Sequence, residues 1–151
     1  GENTVVVDSA ARKTKGKITI PSKVSISGRN FKVVSVSSGA FKNNDNITYV
    51  TIKSTYLTEI GKQAFAGCDN LKSVTISSKK LKTIGAKAFQ GDKKLSSITL
   101  KSANLTKVGK DAFKGIASKA SVVLAKKTYS KTKALLQKTK GTPKSLVYKR
   151  S

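Results

Sequence analysis

Side chains that commonly carry enzyme chemistry are scarce in this chain of 151 residues. Histidine is absent, which removes the usual general base, the serine–histidine pair and imidazole metal ligands. We therefore predict that the protein is not an enzyme and uses no cofactor and no metal. The seven acidic residues are Glu2, Asp8, Asp45, Glu59, Asp69, Asp92 and Asp111.

Some of these acids are regularly spaced. Asp45 and Asp69 lie 24 positions apart, and Asp92 falls one position before the next step of that spacing. A calcium site needs several converging oxygen ligands, and Lys93 and Lys94 interrupt the series. We interpret the acids as residues that stabilise Asx-type turns.

Cys68 is the only cysteine, so no intrachain disulfide can form. With no histidine to activate the thiol, a catalytic role is not expected. Its position in a turn favours a small buried side chain. Pairing with another molecule through an exposed thiol is the alternative.

The elements that would position these residues repeat every 24 residues. Aliphatic residues keep the same step, for example Val50, Val74, Ile98 and Val122. Self-similarity at this period predicts a solenoid, whose turns stack because none can bury its apolar face alone. Ala-Phe recurs at Ala40-Phe41, Ala64-Phe65, Ala88-Phe89 and Ala112-Phe113.

One unit shows how the repeat folds. Val74 and Ile76 alternate with hydroxyl residues, which is typical of a half-buried strand. The stretch 61–67 predicts a compact turn, and the stretch around Leu81 and Ile84 predicts a short extended segment on the opposite wall. The ends differ: residues 18–36 predict a β-hairpin, and residues 126–141 a partly apolar helix with Gly141 as its C-cap.

The pattern I-G-x-x-A-F-x-G-C-x-x-L-x-x-V-x-I, at residues 60–76, closely resembles the BspA-like leucine-rich repeat family. The resemblance covers about residues 17–150 and implies a mainly β leucine-rich-repeat solenoid. Its 24-residue repeats would stack a parallel sheet between an N-terminal β-hairpin cap and a C-terminal helix-containing cap. We predict one domain over 1–151, with caps at 1–35 and 125–151 and repeats at 36–124.

The resemblance also carries expectations about function. Proteins of this family are typically secreted or displayed on the surface of bacteria and some protozoa, and several are associated with adhesion. It therefore implies a non-catalytic, extracellular or cell-surface bacterial module that binds a host matrix protein or another surface protein. The family has no shared catalytic or ligand residues to carry over, and the fold by itself indicates no partner.

The outward side of the predicted strands is the first candidate binding surface. Its columns form a ladder of serine and threonine with a few lysines, suited to hydrogen bonding with a protein or glycan. Threonine is also a good strand former, and a face that only keeps the protein soluble is the more common reason for such a ladder. The candidate residues are Tyr49, Thr51, Lys53, Ser73, Thr75, Ser97, Thr99 and Lys101.

The net charge of +24 indicates an alternative partner class, such as an acidic cell-wall polymer or glycosaminoglycan. Lysine dominates over arginine, which supplies bidentate base recognition, so sequence-specific nucleic-acid binding is not expected. A solubilising coat or a structural spacer for a larger surface protein also fits this composition. No apolar run approaches the ~18 residues of a membrane span. The candidate polyanion-binding residues are Lys126, Lys127, Lys131 and Lys133.

Overall fold

Two mainly parallel β-sheets form the framework of the protein, of which the computed structural model describes residues 4–8 and 13–151. The strands form two sheets that enclose the core, and the strands between residues 29 and 124 alternate between them along the chain. One helix follows the last full repeat. The elements are β1 (Thr4–Val7), β2 (Gly16–Ile20), β3 (Lys23–Ile26), β4 (Arg29–Val36), β5 (Ile47–Ile52), β6 (Glu59–Ile60), β7 (Ser73–Ile76), β8 (Thr83–Ile84), β9 (Ser97–Leu100), β10 (Lys107–Val108), β11 (Ser121–Leu124), α1 (Tyr129–Lys138) and β12 (Val147–Arg150).

The larger sheet, which we call sheet 1, has the order β12-β11-β9-β7-β5-β2 and is parallel throughout. Sheet 2 has the order β1-β4-β6-β8-β10, with β3 also paired to β4. From β5 to β11, neighbouring strands of sheet 1 pair residues 24 apart, as in Val50 with Val74. The predicted solenoid is confirmed, and its two-residue strands β6, β8 and β10 form the predicted opposite wall.

The four phenylalanines of the Ala-Phe pairs form a continuous stack inside the solenoid. Ring centroids are 4.9, 5.2 and 5.4 Å apart from Phe41 to Phe113, and the rings are within 5° of parallel. Phe65 and Phe89 have no exposed surface. The stack follows from the 24-residue period, because each turn places a phenylalanine at the equivalent position, directly above that of the preceding turn.

The turns are tied together by hydrogen bonds between corners. The Phe41 N–H donates to the Ala64 carbonyl at 2.7 Å, and the same bond recurs from Phe65 to Ala88 at 2.8 Å. A glycine permits this approach: a Cβ on Gly85 would lie 2.5 Å from the Lys62 backbone nitrogen. A larger residue there would have to displace backbone, so the glycine is a packing requirement.

Buried serines form a second ladder that the sequence pattern did not reveal. Ser54, Ser78 and Ser102 are almost fully buried. Their hydroxyls donate at 2.6–2.7 Å to carbonyls 21 residues earlier. Each bond satisfies a carbonyl inside the solenoid, which would otherwise be costly to bury.

The N-terminal β-hairpin is confirmed. β3 and β4 are antiparallel, and Ser27 and Gly28 between them have φ of 50° and 77°. Positive φ at both central residues matches a type I′ hairpin turn. β2, which precedes the hairpin, pairs in parallel with β5. The parallel sheet therefore begins inside the segment predicted as cap, and the boundaries at 35 and 124 remain predictions.

The C-terminal helix is also confirmed, but the prediction that Gly141 is its C-cap is wrong. α1 ends at Lys138, and the Thr139 N–H donates to the carbonyls of Leu135 and Leu136. Gly141, with φ of 87°, lies against Asp111, and a Cβ there would approach the Asp111 Cα to 2.9 Å. Gly141 therefore allows the cap to pack closely against Asp111, and it does not terminate the helix.

Candidate interaction surfaces

The predicted ladder exists as one surface, which we call the hydroxyl face: the outward positions of sheet 1. Tyr49 pairs with Ser73 and Ser73 with Ser97, while Thr51, Thr75 and Thr99 form the adjacent row. Tyr49 is 40% exposed, the serines and threonines are half-buried, and Lys53 and Lys101 are exposed. The structure therefore brings all eight predicted residues onto one face. Its members are the outward strand residues and the predicted lysines directly after β5 and β9: Lys17, Thr19, Tyr49, Thr51, Lys53, Ser73, Thr75, Ser97, Thr99, Lys101, Ser121, Val123, Val147 and Lys149.

Four residues of this face, Lys17, Thr19, Val147 and Lys149, lie outside the 24-residue period and were missed by the sequence analysis. Lys17 and Thr19 align with Tyr49 and Thr51, and Lys149 aligns with Val123. Thr19 and Thr51 are 51 − 19 = 32 positions apart, because the β3–β4 hairpin lies between them, so the 24-residue period could not find them. The Lys17 ammonium lies 5.6 Å from the centre of the Tyr49 ring.

The chemistry of the hydroxyl face is uniform. Apart from Val123 and Val147, its members carry hydroxyl or ammonium groups, and none carries a carboxylate. With strands about 4.8 Å apart, six strands give rows roughly 24 Å long. Such a face can donate and accept hydrogen bonds along a regular lattice and favours partners with negative charge.

The four candidate lysines of the cap differ in their surroundings. Lys126, Lys127 and Lys131 are exposed. Lys133 is half-buried, and its ammonium lies 5.8 and 5.6 Å from the ring centres of Tyr129 and Tyr148. Lys133 therefore packs on aromatic rings within the cap, and only the other three are freely presented to solvent.

In the turns, an asparagine forms the Asx turn, whereas Asp45 and Asp92 accept hydrogen bonds from the backbone of neighbouring repeats. The Asn46 N–H donates to the Asn44 side chain at 2.9 Å, as in an Asx turn. Asp45 instead accepts the N–H of Asp69 at 3.3 Å, and Asp92 accepts the N–H of Cys68 at 2.8 Å. The side chains of Asp45 and Asp92 thus join successive corners.

Cys68 and Asp92 are fully buried side by side. Burial, reinforced by the charge of Asp69, raises the pKa of Asp92 to about 9, and its second oxygen has no hydrogen-bond partner. Burial and then the charge of Asp92 raise the pKa of the Cys68 thiol, which donates to the Phe41 carbonyl at 3.1 Å. The prediction of a buried cysteine is confirmed, and a protonated thiol is a poor nucleophile.

Within 4–8 and 13–151, no group of three or more His, Cys, Asp or Glu residues is placed to hold a metal ion. In the same part of the chain, no helix has the length and apolar character needed to cross a bilayer.

Residues 16–140 match six copies of the BspA type leucine rich repeat region. The chain belongs to this family. A leucine rich cell surface protein from Faecalibacterium prausnitzii is 30% identical, with a TM-score of 0.57, over 72% of this chain and 29% of that one. A leucine-rich repeat protein from Bacteroides capillosus is 30% identical, with a TM-score of 0.55, over 61% and 64% respectively. No curated protein matches.

These comparisons place the BspA-type chain among leucine-rich repeat proteins of the bacterial surface type. The family and its fold are typically non-catalytic. The chain spans less than two thirds of the length of both solved relatives.

Proposed function

We propose that this protein is a non-catalytic binding module at a bacterial cell surface, where it serves adhesion or protein interaction. The hydroxyl face is its contact surface, and the partner is a host matrix protein or another surface protein. Extracellular placement is supported by the leucine rich cell surface protein that it resembles.

One observation carries this proposal: the hydroxyl face is continuous across six strands, and each of its two hydroxyl rows runs without a break over four of them. Tyr49, on the second strand from one end of the face, is 40% exposed. Tyrosine is enriched in binding interfaces, where a large ring contributes contact area and a hydroxyl contributes a hydrogen bond. A face that only maintained solubility has no need of an exposed aromatic ring.

The test compares two threonines in opposite sheets. Thr75 lies in the middle of the hydroxyl face, and Thr83 is a half-buried threonine of β8 in sheet 2. Thr75→Arg and Thr83→Arg add the same charge and bulk. Binding to a panel of immobilised matrix proteins, measured by surface plasmon resonance, should weaken about tenfold or more for Thr75→Arg only. Equal binding by both variants would contradict the proposal.

A polyanion anchor is the second candidate, favoured by the charge of the cap. Residues 126–151 contain nine basic residues and no acid. Lys126→Glu, Lys127→Glu and Lys131→Glu combined should abolish heparin binding in the anchor case and leave adhesion through the hydroxyl face unchanged. Lys133 is omitted because it packs on Tyr129 and Tyr148. Anchor binding should also collapse at high salt. If the protein bound neither heparin nor any of the matrix proteins, a role as a structural spacer would be favoured.

A further inference from the structure

A cleft of about 360 Å³ lies between α1 and the chain that leads into β10. It is on the cap and shares no residue with the hydroxyl face. Its lining residues are Leu105, Thr106, Lys131, Ala134, Leu135 and Lys138.

The lining separates into an apolar base and a charged rim. Leu105 is buried and Leu135 half-buried, whereas Lys131 and Lys138 are exposed. The two lysines are seven residues apart in α1, which puts them on the same side of the helix and about 10.5 Å apart along its axis. Ala134 lies between them, and its short side chain leaves room above the base.

The surrounding charge is positive. Lys107 and Lys110 are exposed and follow Thr106 closely, and residues 126–151 carry no acid. Ligand pockets commonly combine an apolar lining with a few charged groups that orient the ligand. In this cleft the lining can bury the apolar part of a ligand. The ammonium groups of Lys131 and Lys138 can both contact one anionic group of the same ligand.

We propose that this cleft binds an amphipathic anion: a carboxylate or a similar acidic group attached to a compact apolar body. The body packs on Leu135 and Ala134 above the buried Leu105, and the acidic group lies between Lys131 and Lys138. This site is independent of the proposed function of the hydroxyl face. An acyl chain and an acidic sugar unit with an apolar ring face share this chemistry.

The test is titration of the full chain by NMR and calorimetry with sodium octanoate, sodium glucuronate and neutral octanol. Octanoate, glucuronate or both should bind with shifts confined to the cleft, whereas octanol should bind at least about tenfold more weakly than the charged probe. Octanoate alone identifies an acyl ligand, and glucuronate alone identifies an acidic sugar. No binding of either anion at millimolar concentration would overturn the proposal.

Two variants and a matched control assign the site. Lys131→Gln with Lys138→Gln should weaken binding about tenfold or more, because both charges are lost. Ala134→Leu keeps every charge and should weaken it similarly by filling the cleft. Lys126→Gln with Lys127→Gln removes the same charge outside the cleft and should change binding less than about twofold. Equal loss in the control, or full binding by Ala134→Leu, would overturn the proposal.

Discussion

Asp92 is the most unusual single residue of the structure, because it is a fully buried carboxyl group in the middle of the solenoid. One oxygen accepts the Cys68 N–H and the other has no partner. The corresponding position in the other repeats is Asn44, Cys68 and Ile116. Burial of an ionised carboxylate is costly, so the group stays protonated in the folded protein near neutral pH.

This leads to a prediction about pH. The pKa of Asp92 is about 9 in the folded chain and about 3.9 when unfolded. Between these values the folded state binds the proton more tightly, so the free energy of unfolding falls as the pH rises. Asp92→Asn should remove this dependence and stabilise the protein at pH 8 by on the order of 2–5 kcal/mol, with little change at pH 4. Urea unfolding at several pH values between 4 and 8 measures this difference in the free energy of unfolding.

Asp45→Asn is the matched control for this measurement. Asp45 is exposed, and an asparagine there can still accept the N–H of Asp69. Its free energy of unfolding should keep the pH dependence of the parent protein. The same flattening in Asp45→Asn would show that Asp92 is not its source.

At this scale the sequence predicted apolar burial well and polar burial poorly. The phenylalanine columns and Cys68 were expected inside, because their period matches the core positions. Asp92 and the serines of the buried ladder were not expected inside. A polar residue in a turn is predicted to be exposed unless its hydrogen-bond partner is known. Those partners are backbone groups of other turns.

Among the elements, the corner turn is the one that repeats most strictly. Each corner places residues in the left-handed region at two positions. The second holds Asn43, Gly67, Gly91 and Gly115, whereas the first holds Gly39, Gln63, Lys87 and Asp111, with φ near 60°. Such φ values are strained for residues with a Cβ.

Lys87→Gly should therefore stabilise the protein, against the usual effect of glycine. Relief of the left-handed strain at Lys87, with φ of 59°, should exceed the added entropy of the unfolded chain. We expect a gain of about 0.5–1 kcal/mol in the free energy of unfolding, measured by chemical denaturation.

Lys114→Gly provides the comparison, because Lys114 is an exposed residue of the next corner without positive φ. The Lys114→Gly variant loses the same charge as Lys87→Gly, and its free energy of unfolding should fall or stay unchanged. Stabilisation of both variants to the same extent would mean that charge, not strain, is the cause.

Elements were predicted from the sequence where the period or alternation was strong. The strands of the repeats and the N-terminal hairpin were found in this way. The end of α1 was not predicted correctly. A glycine at position 141 is typical of a helix end, but glycine is required there because the backbone lies against Asp111. That contact joins the cap to a corner 30 residues earlier and has no local signature.

For the whole molecule, charge is the dominant feature. A net charge of +24 on 151 residues destabilises the compact state through self-repulsion. Raising sodium chloride from about 20 to 500 mM should therefore raise the free energy of unfolding, by about 1 kcal/mol or more, as screening shortens the range of repulsion. Urea unfolding at several salt concentrations measures this, since urea is uncharged.

A charge-reduced variant checks the cause. Lys126→Gln with Lys127→Gln lowers the net charge by two at exposed positions. Its free energy of unfolding should respond less to salt than that of the parent protein. An equal response would indicate a general salt effect on apolar burial instead of charge repulsion.

The sequence by itself determined the solenoid, its core columns and most of the hydroxyl face, because a strict period repeats the same local environment in every turn. Only the tertiary structure decided where the ends of the chain dock. Lys17, Thr19 and Lys149 join the face through β2 and β12, whose spacing breaks the period. The cleft beside α1 likewise forms where the helix meets the chain near Leu105. Such contacts depend on docking between distant segments, which no local pattern encodes.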